Sequence, residues 1–261
     1  MSGKQLTLRV NGVDLNVADA GEGAPALLFL HYWGGSSRTW ARTIQALSDT
    51  HRCVALDFRG WGRSSKDAGD HRLATLADDA VAVARELDLQ DYLIVGHSMG
   101  GKVAQLVAAR RPVGLKGLIL VAPAPPTPLA VPEDVRQSYV ALYQTREGVE
   151  TVIGNLTPHP LVEASREQII EDSLRGSPDA KREWPERGMV EDIAREASKI
   201  AAPVHVIAGG DDGVEPEASL RAAFGKVIPG AKFIVIPGVG HMAPLEAPAL
   251  LAAAIRSALA A

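Results

Sequence analysis

Four short apolar runs, Ala26–Leu30, Cys53–Leu56, Tyr92–Val95 and Gly117–Val121, alternate with helix-like segments at Thr39–Leu47, Leu73–Leu87 and Lys102–Arg110. A strand that is apolar at nearly every position needs both of its faces covered. Such strands alternating with amphipathic helices predict a parallel sheet with helices on both faces. Ahead of them, Leu6–Val10 and Val13–Val17 flank Asn11-Gly12, the pattern of a tight antiparallel hairpin. The strand–helix pattern resumes at Val204–Ala208, with a helix near Ala218–Phe224, a strand at Lys232–Ile236 and a last helix over Pro244–Ala260. The expected class is α/β, with these eight runs forming one mostly parallel sheet.

The alternation stops in between. Pro123, Pro125, Pro126, Pro128 and Pro132 interrupt the chain, and Val131 to about Ser198 reads as helices and loops without a strand. The predicted organisation is a core of residues 1–122 and 201–261, with a helical insertion over 123–200. Ligands in open α/β sheets bind beyond the carboxyl ends of the strands, so the insertion is expected over that edge.

Charge narrows the partners. The 261 residues carry a net charge of −4 with no Lys/Arg cluster to neutralise phosphates, which argues against nucleic acid. No apolar run is long enough to span a membrane, and Met1-Ser2-Gly3-Lys4-Gln5 leads into an alternating strand instead of a leader. The single cysteine, Cys53, lies in an apolar run and reads as a packed thiol. A cytoplasmic protein acting on a small molecule is expected.

The chemistry concentrates at Gly96-His97-Ser98-Met99-Gly100-Gly101, between a strand and a helix. In this Gly-x-Ser-x-Gly setting the serine sits on a sharp turn with its hydroxyl exposed, and small residues on either side let strand and helix approach. The same turn aims the first N–H groups of the helix at the space above Ser98. A serine hydroxyl also needs a base and a group that orients the base. Asp211 and Asp212 follow one late strand and His241 follows another, so both partners fall at the same sheet edge as Ser98. No His/Asp/Glu grouping has metal-ligand spacing, so no metal is expected. His51 and His71 lie in polar, surface-like segments, and His205 is inside a strand.

With these motifs the chain resembles the α/β-hydrolase superfamily over nearly its whole length. The resemblance extends to His31-Tyr32-Trp33-Gly34-Gly35-Ser36, to Asp57-Phe58-Arg59-Gly60-Trp61-Gly62-Arg63-Ser64, to Gly209, Asp212 and Pro216 in Gly-x-x-Asp-x-x-x-Pro, and to Gly238-Val239-Gly240-His241. It implies a mostly parallel eight-stranded α/β-hydrolase sheet with a helical cap insertion. It also implies Ser98 as nucleophile, His241 as base, and Asp212, by the family spacing, as orienting acid in place of its rival Asp211. The oxyanion hole implied is the N–H of Met99 with that of Trp33, on a loop that departs from the family by carrying Tyr32 where glycine is usual. The Asp57 loop is expected to brace the site.

A serine in place of the aspartate of dehalogenases and epoxide hydrolases favours acyl transfer, which needs water and no cofactor. A small to medium, fairly hydrophobic ester or lactone is the expected substrate. His31 and Tyr32, with Tyr139, Tyr143 and Trp184 from the insertion, are candidate substrate contacts, and Leu142, Leu156 and Leu161 are further candidates for the lining. Perhydrolysis uses the same residues. Carbon–carbon bond hydrolysis would need a basic residue such as Arg136 or Arg166 to hold a carboxylate. A non-catalytic small-molecule binding protein is the remaining alternative.

Overall fold

The computed structural model describes residues 3–261; Met1 and Ser2, part of the start read above as lacking a leader, lie outside the described residues. Its strands are β1 (Lys4–Val10), β2 (Val13–Ala20), β3 (Ala26–Leu30), β4 (Cys53–Leu56), β5 (Tyr92–His97), β6 (Leu115–Val121), β7 (Val204–Gly209) and β8 (Lys232–Ile236). They form one sheet in the order β1-β2-β4-β3-β5-β6-β7-β8. The β1–β2 hairpin turns through Asn11 and Gly12, at φ 48° and 80°, the two left-handed residues that a tight hairpin needs. β2 meets β4 antiparallel, and β3 to β8 are parallel.

Register decides which residues meet at the edge. Leu30 stands opposite both Leu56 and Gly96, so β3, β4 and β5 end level. The loops opening with His31, Asp57 and Ser98 therefore leave the sheet side by side. Gly209 stands opposite Ile236, which brings the Asp212 and His241 loops to the same edge.

The helices before the insertion are α1 (Ala41–Leu47), α2 (Leu73–Glu86) and α3 (Met99–Ala109); α1 is preceded by a 3-10 turn at Ser37–Trp40. The insertion holds α4 (Glu133–Leu142), α5 (Arg146–Leu156), α6 (Glu163–Arg175), α7 (Pro178–Glu183) and α8 (Ala194–Ala197), and α9 (Glu217–Val227), α10 (Ala243–Glu246) and α11 (Pro248–Leu259) follow it. Strand side chains alternate between two cores. Leu28, Leu30, Leu56, Ile94 and Leu120 pack with residues of α2, α3 and α9, whereas Leu27, Phe29, Val95 and Ile119 pack with residues of α1 and α11. Each fully buried Leu, Ile or Phe contributes about 1.5–3 kcal/mol, which explains strands without a polar face. Cys53 belongs to the second core, and burial pushes its thiol up to about 12, so it is inert packing.

The structure departs from the sequence reading at several ends. The helix expected from Lys102 begins at Met99, because the turn itself supplies its first residues. The last helix is two helices. Pro248 disfavours helical backbone at the residue before it, and Ala247 sits at φ −141°, ψ 57° between α10 and α11. His71 is buried instead of exposed, because its ring packs against Gly60, where an added Cβ would lie 2.7 Å from it. Among the described residues no helix is long and apolar enough to cross a membrane.

Candidate active site

β5 delivers Ser98 at φ 53°, ψ −117°, a left-handed backbone that side-chain-bearing residues seldom adopt. Its neighbours explain how the turn is held. A Cβ on Gly96 would lie 2.5 Å from the Gly100 carbonyl oxygen, and one on Gly100 would lie 2.5 Å from those of Leu30 and His31. The elbow is thus wedged against β3, and Ser98, half-buried, faces the space above the sheet.

The three expected partners are brought into one hydrogen-bonded line. The Ser98 hydroxyl lies 3.0 Å from His241 Nε2, and His241 Nδ1–H donates to Asp212 Oδ2 at 2.9 Å. Asp211 is about half exposed and points away, 3.9 Å from His159. The other Asp212 oxygen accepts from the N–H groups of Val214 and Glu215 at 2.8 and 2.9 Å. Burial opposes charge on both members of the pair, but their attraction outweighs it, holding His241 above and Asp212 below their ordinary ranges.

Two backbone donors, next to the elbow and on the β3 loop, are without a partner. The N–H groups of Trp33 and Met99 donate to no acceptor among the described residues, as the candidate oxyanion hole requires. Gly34, at φ 93°, lets the Trp33 loop pass so close to Tyr143 that an added Cβ would lie 2.5 Å from the Tyr143 ring.

Ser98 and His241 open into a cavity of about 440 Å³. Of the candidate contacts, Tyr32, Tyr139, Tyr143 and Trp184 line it, as does Leu156; Leu142 and Leu161 do not. Trp184 opens a π-helical turn, Trp184–Gly188, and the Trp33 and Tyr143 rings lie 3.7 Å apart between centroids. His31 is a correction: it is fully buried behind the loop. Its Nδ1–H donates to the Tyr32 carbonyl at 2.7 Å and its Nε2 accepts from the Phe58 N–H at 3.0 Å, so it braces the loop and does not line this cavity. Arg136 donates to the Pro185 and Glu186 carbonyls, and Arg166 pairs with Glu150, Glu163 and Glu167; neither lines the cavity.

Other residues hold the site, and of these only the Asp57 loop was expected from the sequence. His97 Nε2–H donates to the His241 carbonyl at 2.8 Å, and burial pushes His97 down to about 3, so the ring stays neutral. Glu246 accepts from the N–H groups of Gly240 and Met242 on either side of His241, at 3.0 and 2.8 Å. Asp57 accepts from Ser37, Arg63 and Asn16. Lys102, on α3, reaches up to the Glu191 carbonyl at 2.6 Å and to those of Gly188 and Thr127. Glu215 lines the cavity beside His241. Among the described residues no group of three or more His, Cys, Asp or Glu is arranged to hold a metal ion.

An eight-stranded sheet of this order, with a strand–Ser–helix elbow and late Asp and His loops at one edge, defines the architecture of the α/β hydrolases. The chain belongs to the alpha/beta hydrolase family, whose pattern it matches over residues 27–254. It is 27% identical over 254 residues to a non-heme haloperoxidase of Rhodococcus erythropolis, covering 88% of this chain and 90% of that one. Another relative is longer: the chain is 29% identical over 251 residues to the dihydrolipoyllysine-residue acetyltransferase component of the acetoin cleaving system of Cupriavidus necator, covering 91% of this chain and 64% of that protein. Its fold matches the crystal structure of the enol-lactonase from Burkholderia xenovorans LB400 with a TM-score of 0.86, at 22% identity over 98% of this chain and all of that one.

Proposed function

We propose that the protein is a serine hydrolase that cleaves a small to medium, largely apolar carboxylic ester or lactone through an acyl-enzyme. The observation that carries this reading is the Asp212–His241–Ser98 line, with links of 2.9 and 3.0 Å, opening into a cavity whose described wall residues include no lysine or arginine. Ser98 Oγ attacks the carbonyl carbon while His241 Nε2 takes its proton. The resulting oxyanion lies between the N–H groups of Trp33 and Met99. Collapse expels the alcohol, which receives the proton from His241, and water activated by the same imidazole then releases the acid. Residues 123–200 act as a cap over the cavity and select the substrate.

The absence of a cation in the wall among the described residues disfavours carbon–carbon bond hydrolysis of a carboxylate substrate, since Arg136 and Arg166 are committed elsewhere. Perhydrolysis is the second reading, favoured by the haloperoxidase relative: hydrogen peroxide in place of water would release a peracid from the same acyl-Ser98. A non-catalytic binding protein would hold such esters without cleaving them.

The test is Ser98→Ala assayed on a series of 4-nitrophenyl esters and lactones. A fall of about 10⁴-fold or more in kcat/KM is expected, with stoichiometric burst release by the wild type. Full activity of the variant, or binding without a burst, overturns the reading.

A further inference from the structure

The proposed chemistry uses Ser98, His241 and Asp212 and leaves Glu215 without a task. Glu215 stands three residues after Asp212, and its N–H is held by the carboxylate that orients His241. Its side chain lines the cavity and is only 6% exposed. No described residue donates a hydrogen bond to its carboxyl oxygens, and no described cation lies within ion-pair distance of them. The charged groups that act on it are His241, Asp212 and Lys102. His241 and Asp212 are engaged with each other, and the Lys102 ammonium donates to backbone carbonyls. The Glu215 carboxyl oxygens are reached only from the cavity, where a ligand bearing the complementary group would pair with them.

The walls indicate which group that is. Aromatic rings of Trp33, Tyr139, Tyr143 and Trp184 line the same cavity, and none of the described wall residues is a lysine or arginine. Ring faces attract cations, best when water is excluded, and an acidic side chain without a basic counterpart favours positive charge. An anionic substrate would find no lysine or arginine among the described wall residues, only neutral donors such as Thr127, Asn155 and Ser219.

We propose that Glu215 and these rings form a cation subsite, and that the ester cleaved at Ser98 carries an alkylated ammonium group. The inference rests on the serine-hydrolase reading and adds the substrate class. Burial pushes the Glu215 carboxyl up to about 8, with Asp212 adding to the rise and His241 and Lys102 opposing it. A bound ammonium favours the ionised form, so preference for a cationic substrate rises with pH towards that value.

The test compares two 4-nitrophenyl esters of the same shape, those of 4-(trimethylammonio)butanoic acid and 5,5-dimethylhexanoic acid, which differ in a charged nitrogen against a carbon. Wild type is expected to favour the cationic ester by about tenfold in kcat/KM, the scale of a desolvated cation–π contact. That ratio should climb with pH through about 8 in the wild type. In Glu215→Gln, which keeps the rings, it should fall to the part they supply alone and stay flat with pH. Comparing the two esters cancels the titration of His241, which serves both.

A wild-type ratio near one, or a ratio that Glu215→Gln leaves intact, overturns the proposal. An independent experiment uses the wild type alone: choline should inhibit hydrolysis of 4-nitrophenyl butyrate at about tenfold lower concentration than 3,3-dimethylbutan-1-ol. Equal inhibition also overturns the proposal. Ser98→Ala separates the two levels of failure. Hydrolysis that survives in that variant sinks the serine-hydrolase reading, whereas Ser98-dependent hydrolysis without cation preference sinks the subsite alone.

Discussion

Gly100 has the least freedom of any residue in the elbow. A methyl group there would sit 2.5 Å from two carbonyl oxygens of the β3 end, a distance that only backbone movement relieves. Gly100→Ala is expected to cost about 1–3 kcal/mol of stability and about 10²-fold in turnover, because the same shift misplaces Ser98. Thermal melts and ester kinetics on one preparation read both effects, and an alanine tolerated in both would mean the elbow is not wedged as described. His241 sets the expected pH profile. It acts as base only when neutral, and its pairing with Asp212 raises it above the ordinary 6.5. The rate should therefore fall as pH is lowered through a value above 6.5, and Asp212→Asn should abolish that displacement. An acid limb below 6.5 in the wild type would contradict the pairing. Ser98 and His241 could be picked out from the sequence because this chemistry demands particular residue types at strand ends, whereas Asp212 was separated from Asp211 only by the spacing of the family the chain resembles. Glu215 and Glu246 could not, since a carboxyl in a loop looks the same in one dimension whether it is solvated or buried.

Among the elements, α3 links the sheet to the insertion. Its first turn carries the elbow, and one residue further Lys102 sends a fully buried side chain upward to carbonyls of Thr127, Gly188 and Glu191. Burial pushes that ammonium down to about 8, with Glu191, Asp192 and Glu215 opposing the fall. Lys102→Met leaves those carbonyls without their donor and is expected to destabilise by about 2 kcal/mol. The loss should appear first as faster proteolytic cleavage within 123–200, ahead of any change in the sheet, and uniform loss of protection would place the lysine outside this link. Sheet elements were legible because burial on both faces forces continuous apolar runs. The insertion's helices were legible only as a class. Their cavity-facing sides are set by packing against the Trp33 and His241 loops, so Tyr139 and Leu156 reach the cavity while Leu142, on the same helix as Tyr139, does not. The division of the last helix at Pro248 follows from a local rule, yet the apolar period runs across it unbroken.

For the molecule as a whole, pH acts on stability through buried groups that pull in opposite directions. Burial drives His31 down to about 4 and His97 down to about 3. The unfolded chain takes up those protons first, so the stability they contribute is intact above the ordinary imidazole value and lost as pH falls towards 4 and 3. Glu215 has the reverse sign. Its folded value of about 8 exceeds its ordinary 4.5, so between the two the folded chain keeps a proton that the unfolded chain has released. Its contribution is therefore fully present below 4.5 and lost as pH rises through about 8. Comparing wild type with Glu215→Gln isolates this effect, because the histidines are common to both and the amide does not titrate. The advantage of the variant should grow by about 2 kcal/mol between about pH 5 and pH 7, read as the shift in urea midpoint at each pH. A carboxyl that lowers stability when ionised and faces a cavity is the pattern expected of a binding group. A difference that stays constant over that range would mean the carboxyl is solvated, and would remove the physical reason for a buried cation subsite.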